Sequence, residues 1–214
     1  MLHHALRAMP RKRRIIFLGY TDSGSATFDL PSGLRQNDVV VVASSSDSTS
    51  LSSTPSGYTA GQSGSNGVSA RWAFKRMGAT PDTQVTLPES LTDGRHLALA
   101  FRYVNTSTAL DATSPTPATG NSGMPNSPSV TTATLDALVL ALGFLDDDVV
   151  AAAVAAPTYY TLAAAVQGGA SGAGSTLMAA YRHKLLAGSE DPGGFTASGG
   201  SDAWLAATVV LRPA

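Results

Sequence analysis

Four consecutive valines, Val39 to Val42, set the tightest limit on what this chain can fold into. A branched β-carbon restricts the side-chain rotamers available in a helix and packs well on a pleated strand. Successive residues of a strand point to opposite faces, so an unbroken valine run needs apolar surroundings on both sides. The run over 38–43 is therefore expected at the centre of a sheet, or in a sheet covered on both faces.

A second pattern adds to this one. In HLALAFRYV, residues 96–104, Leu97, Leu99, Phe101 and Tyr103 share one face at a period of two, as in a strand with one wet side. Further strands are expected over 15–20, 27–30, 68–77, 84–87, 135–144, 159–166, 177–186 and 204–211, most of them ended by Gly, Pro, Ser or Asp. The charged residues usual on solvent-exposed helices are scarce: Glu occurs only at Glu89 and Glu190, Lys only at Lys12, Lys75 and Lys184. One short helix is expected over 149–156, with Asp146 as its cap and Asp147 and Asp148 near its positive end. Residues 105–129, rich in Thr, Ser, Pro, Gly and Asn, are read as a long surface connection between halves or a partner-contact loop.

The two halves carry similar phrases in one order. TPSGYT at 54–59 corresponds to APTYYT at 156–161, Val39 to Val42 to the apolar run over 138–142, WAFK at 72–75 to YRHK at 181–184, and HLALAFRYV to WLAATVVLR at 204–212. These correspondences point to a duplicated unit in which Tyr58 and Tyr160 occupy comparable positions. The expected fold is all-β, an antiparallel β-sandwich of jelly-roll type whose two related halves, about 34–104 and 135–213, each supply strands to both sheets. A chain of 214 residues suits one such domain, 15–214, preceded by an arm, 1–14.

The absence of cysteine removes disulfides and thiolate metal sites. Neither apolar stretch, 137–145 or 149–156, is long enough to span a bilayer, and 15–18 is too short for a signal-peptide core, so a soluble protein without a secretion signal is expected.

Catalytic signatures are missing. GQSGS at 61–65 and GASGA at 169–173 lack the spacing of a nucleophile elbow, and the glycines at 168, 169, 172 and 174 lack that of a phosphate loop. The four histidines lie in the arm, His3 and His4, or in strands, His96 and His183. Asp146 to Asp148 lack the alternation of a calcium loop and are read as a solvated turn or cap. No catalytic, cofactor or metal residue is assigned, and a non-enzymatic role is expected.

The arm is the most distinctive feature. Arg7, Arg11, Lys12, Arg13 and Arg14 place five cations in the first fourteen residues, with no acid before Asp22, while nine bases face fifteen acids in the rest of the chain. These five are the candidate partner-binding residues. Docking on an acidic protein surface is the preferred reading, with nucleic-acid contact and a solvated tail as alternatives.

The succession FDLPSGLRQNDVVVVASSSD, TPSGYT, RWAFKR, LALAFRYV, PSVTT, LVLALGFLDDD, APTYYT and DAWLAATVVLRPA resembles uncharacterised structural proteins of tailed bacteriophages over roughly residues 15–214. The resemblance implies a β-sandwich located in the virion as a head decoration, fibre, spike or tail-associated component, with other virion proteins as partners, homo-oligomer formation and no catalytic residues. The alternative is a carbohydrate-binding module for host-surface glycans, with Trp72, Trp204, Tyr58, Tyr159 and Tyr160 as candidate stacking residues unless these rings are buried in the core. A hydrolase would need clustered acids, or a Ser and His pair, facing one cleft.

Overall fold

The computed structural model describes residues 13–146, 153–169, 174–198 and 202–214. In the first half the strands are β1 (Ile16–Ser23), β2 (Thr27–Asp29), β3 (Val39–Ser46), β4 (Thr59–Asn66), β5 (Val68–Arg76), β6 (Gln84–Thr86) and β7 (Gly94–Arg102). Five of them form one antiparallel sheet in the order β1-β7-β3-β5-β4, and β2 pairs separately with β6. The second half contributes β8 (Ala118–Gly120), β9 (Asn126–Ser127), β10 (Val130–Thr132), β11 (Ala137–Asp146), β12 (Thr161–Gln167), β13 (Ser175–Lys184), β14 (Gly188–Glu190), β15 (Gly193–Gly194) and β16 (Trp204–Leu211). Its sheet runs β12-β13-β11-β16-β8, with two small ribbons, β10-β14 and β9-β15.

The two sheets pack face to face. Val39, Val41, Leu97, Leu99 and Phe101 of the first meet Leu138, Leu140, Leu142, Phe144 and Val209 of the second in one buried cluster. The outer faces are covered as well. Phe28, Leu30, Val85 and Leu87, from in and around the β2-β6 ribbon, lie over Val40, Val42, Ala98 and Ala100. On the other side Val130, Tyr160 and Phe195 lie over Val139, Ala141, Met178 and Val210. Both parities of the valine run are therefore buried, Val39 to Val41 at 0% exposure and Val42 at 2%. Each such side chain contributes about 1.5–3 kcal/mol by leaving water.

Exchanging β1 for β8, β3 for β11, β4 for β12, β5 for β13 and β7 for β16 converts one sheet order into the other. The β2-β6 ribbon then corresponds to β10-β14, and β9-β15 is additional. Because β1 packs beside β12 and β4 beside β16, the second unit meets the first in reversed order, as in an isologous pair. Each half builds one whole sheet, which differs from the jelly-roll connectivity expected from the sequence, where both halves would feed both sheets.

Register sharpens the correspondence. Val39 lies between Arg76 and Phe101, and Leu138 between His183 and Leu211. Thr59 faces Phe74 and Thr161 faces Tyr181, so Tyr181 corresponds to Phe74, whereas the sequence phrases set it against Trp72. The slip is two residues, an even number that leaves every side chain on its proper face, and so alternation alone does not reveal it.

Three local expectations need correction. The Gly/Ser-rich stretch after TPSGYT, which lies in none of the expected strands, is itself a strand, β4. A Cβ on Gly61 would lie 2.3 Å from the Trp72 ring and one on Gly64 2.7 Å from Leu205 Cδ1, so glycine there permits close packing. The segment 105–129 is not merely a surface connection: it contains β8 and β9 and is bonded along β16 and its extension through Asn105 N–H to Arg212 O, Arg212 N–H to Ala109 O and Asp111 N–H to Val210 O. Of the expected helix over 149–156, residues 149–152, like Asp147 and Asp148, lie outside the described residues, and Ala155 is extended, exchanging backbone bonds of 2.7 and 3.1 Å with Thr196. Asp146 ends β11. No helix among the described residues is long and apolar enough to cross a membrane.

Candidate functional site

The root of the arm lies on the body. The Arg13 guanidinium sits 5.0 Å from the centre of the Tyr103 ring. Arg14 reaches Asp136 Oδ1 through its Nε and Nη2, both at 3.1 Å. The side chains of this pair are 55% and 39% exposed, so the contact is worth about 0–1 kcal/mol and orients the chain more than it anchors it. Arg7, Arg11 and Lys12 lie outside the described residues. Arg13 also joins Arg35 and Tyr103 around a cleft of about 300 Å³.

The two tyrosine tags form matching turns. Tyr58 N–H donates to Pro55 O at 3.1 Å and Tyr160 N–H to Pro157 O at 3.0 Å, with Gly57 at φ 77° and Tyr159 at φ 69° in the same place. Both tyrosines pack on the outer face of their own sheet beside an ion pair, Lys75 with Asp82 and Arg182 with Glu190. The Tyr160 hydroxyl donates to Glu190 Oε1 at 3.0 Å. Burial, then the carboxylate nearby, raises both phenols above their ordinary range. Their positions are comparable and their surroundings mark them as packing residues.

Among the five candidate stacking aromatics only Tyr159 is broadly exposed, at 84%, with Arg182 over its ring. Trp204 is buried, its indole N–H donating to Ser122 O at 2.9 Å. Trp72 is 3% exposed and its indole N–H has no partner.

Trp72 nevertheless contributes to a cleft. Gly61 and Gln62 of β4, Trp72 of β5, and Leu110, Asp111 and Ser114 of the following segment surround about 520 Å³ of space, closed at one side by Arg212. Gln62 Nε2 donates to Ser114 O at 3.2 Å and Pro115 O at 2.7 Å, tying the edge strand to that segment. Burial would raise the Asp111 carboxyl, but the N–H groups of Ala133 and Thr134, which donate to it, the nearby Thr134 side chain and the Arg212 guanidinium outweigh it and hold Asp111 below the usual carboxylate range. Gln62 Oε1 and Ser114 Oγ, like Trp72 Nε1, are buried without a hydrogen-bond partner. Sequence reasoning singled out Trp72 but not this cleft, because its wall comes from the polar 105–129 segment, which carries no apolar period to place it.

A Ser and His pair does exist. His96 Nδ1 lies 2.8 Å from Ser44 Oγ and Nε2 lies 2.9 Å from Glu89 O. The Glu89 carbonyl only accepts, so Nε2 carries the proton and Nδ1 receives the serine hydroxyl. Burial lowers His96 to about 4, partly offset by the bond to Glu89 O and reinforced by the charges of Arg71 and Arg95. His96 is 0% and Ser44 1% exposed, beneath the Phe28 ring. Such a pair can hold strands together but meets no substrate from this position. Among the described residues no group of three or more His, Asp or Glu side chains could hold a metal ion.

Buried ion pairs also escaped sequence reasoning. Arg102 forks onto Asp38 at 2.9 and 2.7 Å, and Arg212, its counterpart in the second half, meets Asp111 at 3.3 Å. The one available signal was an arginine closing each of the phrases LALAFR and ATVVLR.

Comparison of the chain with family models, with curated proteins and with solved structures returns no match.

Proposed function

We propose that the chain is a non-enzymatic structural protein of a tailed-bacteriophage virion, a head decoration, fibre, spike or tail-associated component, joined to neighbouring virion proteins through its basic arm. The phrase-level resemblance supplies the setting. The observation that carries the reading is the arm root: Arg13 and Arg14 are set on the body by Tyr103 and Asp136, so the cations upstream leave from a defined point on the surface. An acidic patch on a neighbouring protein complements Arg7, Arg11 and Lys12, and a fixed exit lowers the entropy lost on docking. The sealed Ser44 and His96 pair favours assembly over turnover.

Deleting residues 1–14 tests this. The shortened protein is expected to keep the thermal unfolding of the full chain and to be missing from purified particles. Incorporation at the full-length level would refute the anchoring role.

A second reading, a module for host-surface carbohydrate, is favoured by one observation, the cleft of about 520 Å³ beside Trp72.

A further inference from the structure

We propose that the cleft at the root of the arm is an anion-binding site that takes carboxylate side chains from an acidic segment of another protein; this rests on the arm-docking reading and gives it a receptor on the body. Three described cations, Arg13, Arg35 and Arg76, form no ion pair, whereas every other described lysine and arginine meets a carboxylate. The three lie together. Arg13 and Arg35 line the cleft, and Arg76 borders it, its Nη1 donating to Asn37 O at 3.1 Å and its Nη2 to Asn105 O.

Arg102 is the fourth arginine of the group. It commits Nε to Asp38 and Nη2 to Asp38 and Gly33 O, which leaves Nη1 with no partner among the described residues. Asp38 is the one carboxylate side chain in the wall, and both of its oxygens are taken, Oδ1 by Arg102 and Oδ2 by Arg102 and by the Arg35 N–H at 2.8 Å. Even with the carboxyl group of Ala214 at the rim, four arginines stand against two anions. Like charges this close repel one another, and a concave wall of one sign concentrates the field that draws in an anion. The cations are within reach of a ligand: Arg13 and Arg35 are exposed, and Arg102 keeps 16% of its side-chain surface. They are also partly set in place, Arg13 by the Tyr103 ring and the Asn37 and Asn105 backbone by Arg76, which limits the order lost on binding.

A guanidinium fork suits a carboxylate or a phosphate. The surroundings favour the carboxylate. The cleft holds about 300 Å³, room for a short segment, and after residue 14 the chain carries fifteen acids against nine bases, so a long phosphate backbone leaving the cleft meets a body of its own sign. The aromatic ring at the site, Tyr103, has Arg13 over one face instead of standing open to a nucleic-acid base.

The test titrates the full chain with a short glutamate peptide whose ends are blocked, with inorganic phosphate and with oligothymidylate, following backbone amide resonances. The peptide is expected to shift the amides of residues 35–37 and 103–106 and to bind more tightly than phosphate or oligothymidylate. Arg35→Ala removes an exposed side chain that has no partner, so it is expected to leave the unfolding temperature unchanged and to weaken the peptide about three- to tenfold, with Arg35→Lys in between. Peptide binding untouched by Arg35→Ala but abolished when Arg7, Arg11 and Lys12 are all replaced by alanine would overturn the cleft and keep the arm-docking reading. Binding that depends on Arg35, together with full incorporation of the chain lacking residues 1–14 into particles, would keep the cleft and overturn the role of the arm. No shift with the peptide, or tighter binding of phosphate or oligothymidylate at the same residues, overturns the proposal.

Discussion

Asp38 and His96 show how polar side chains are used inside this sandwich. Asp38 is 2% exposed and held by the two-pronged Arg102 contact, so Arg102→Leu leaves a buried carboxylate without its cation. That change is expected to cost about 3–5 kcal/mol in urea unfolding. Arg14→Ala, at an exposed pair, is expected to stay within about 0.5 kcal/mol. His96 adds a pH dependence. Its folded value, about 4, lies below its ordinary 6.5, so the unfolded chain binds the extra proton first as pH falls. Stability is therefore complete above about pH 6.5, declines as pH drops towards 4 and then stops responding to this group, a loss of about 3 kcal/mol. His183, also lowered by burial, acts in the same direction. Urea unfolding at pH 7, 5.5 and 4 checks the slope, and His96→Asn should flatten it. The sequence showed His96 only as a residue on a strand. Its partners, Ser44 and Glu89, come from another strand and a loop, and no local pattern announces them.

At the scale of elements, legibility followed apolar content. β3, β7, β11, β13 and β16 carry long buried runs, and each was marked by valine, leucine or alanine at strand spacing. β4, reading TAGQSGSN, has no large apolar side chain, and its place at a sheet edge is set by what lies against it. Gly61 touches the Trp72 ring so closely that Gly61→Ala is expected to push the indole aside and cost about 1–3 kcal/mol, read as a lowered unfolding temperature. An unchanged temperature would mean that the ring has room to move. At Ala155, within the expected helix over 149–156, the difference runs in the other direction. The alanines of that stretch favour helix locally, yet Ala155 takes the backbone partner offered by Thr196, a tertiary contact overriding propensity.

The described residues are built around two five-stranded sheets of one topology whose inner faces cover each other. Order and approximate correspondence of the halves were legible because strands and turns recur in sequence. The division of strands between sheets was not, because alternation fixes which face is buried but not which neighbour is paired. Each half would expose its inner face alone, including Leu99 and Phe101 or Leu140 and Phe144, so residues 13–104 by themselves are expected to be unfolded or aggregated. Mixing them with 105–214 should restore the cooperative unfolding of the intact chain, and a monomeric folded half would count against mutual burial as the source of stability. At this scale the proposal is that the arm joins the body to another protein. A reconstruction of the assembled particle tests that most directly. The account predicts the two-sheet body on the particle with residues 1–14 against an acidic surface of a neighbouring virion protein; a particle without this chain, or one in which the arm touches no other protein, would contradict it.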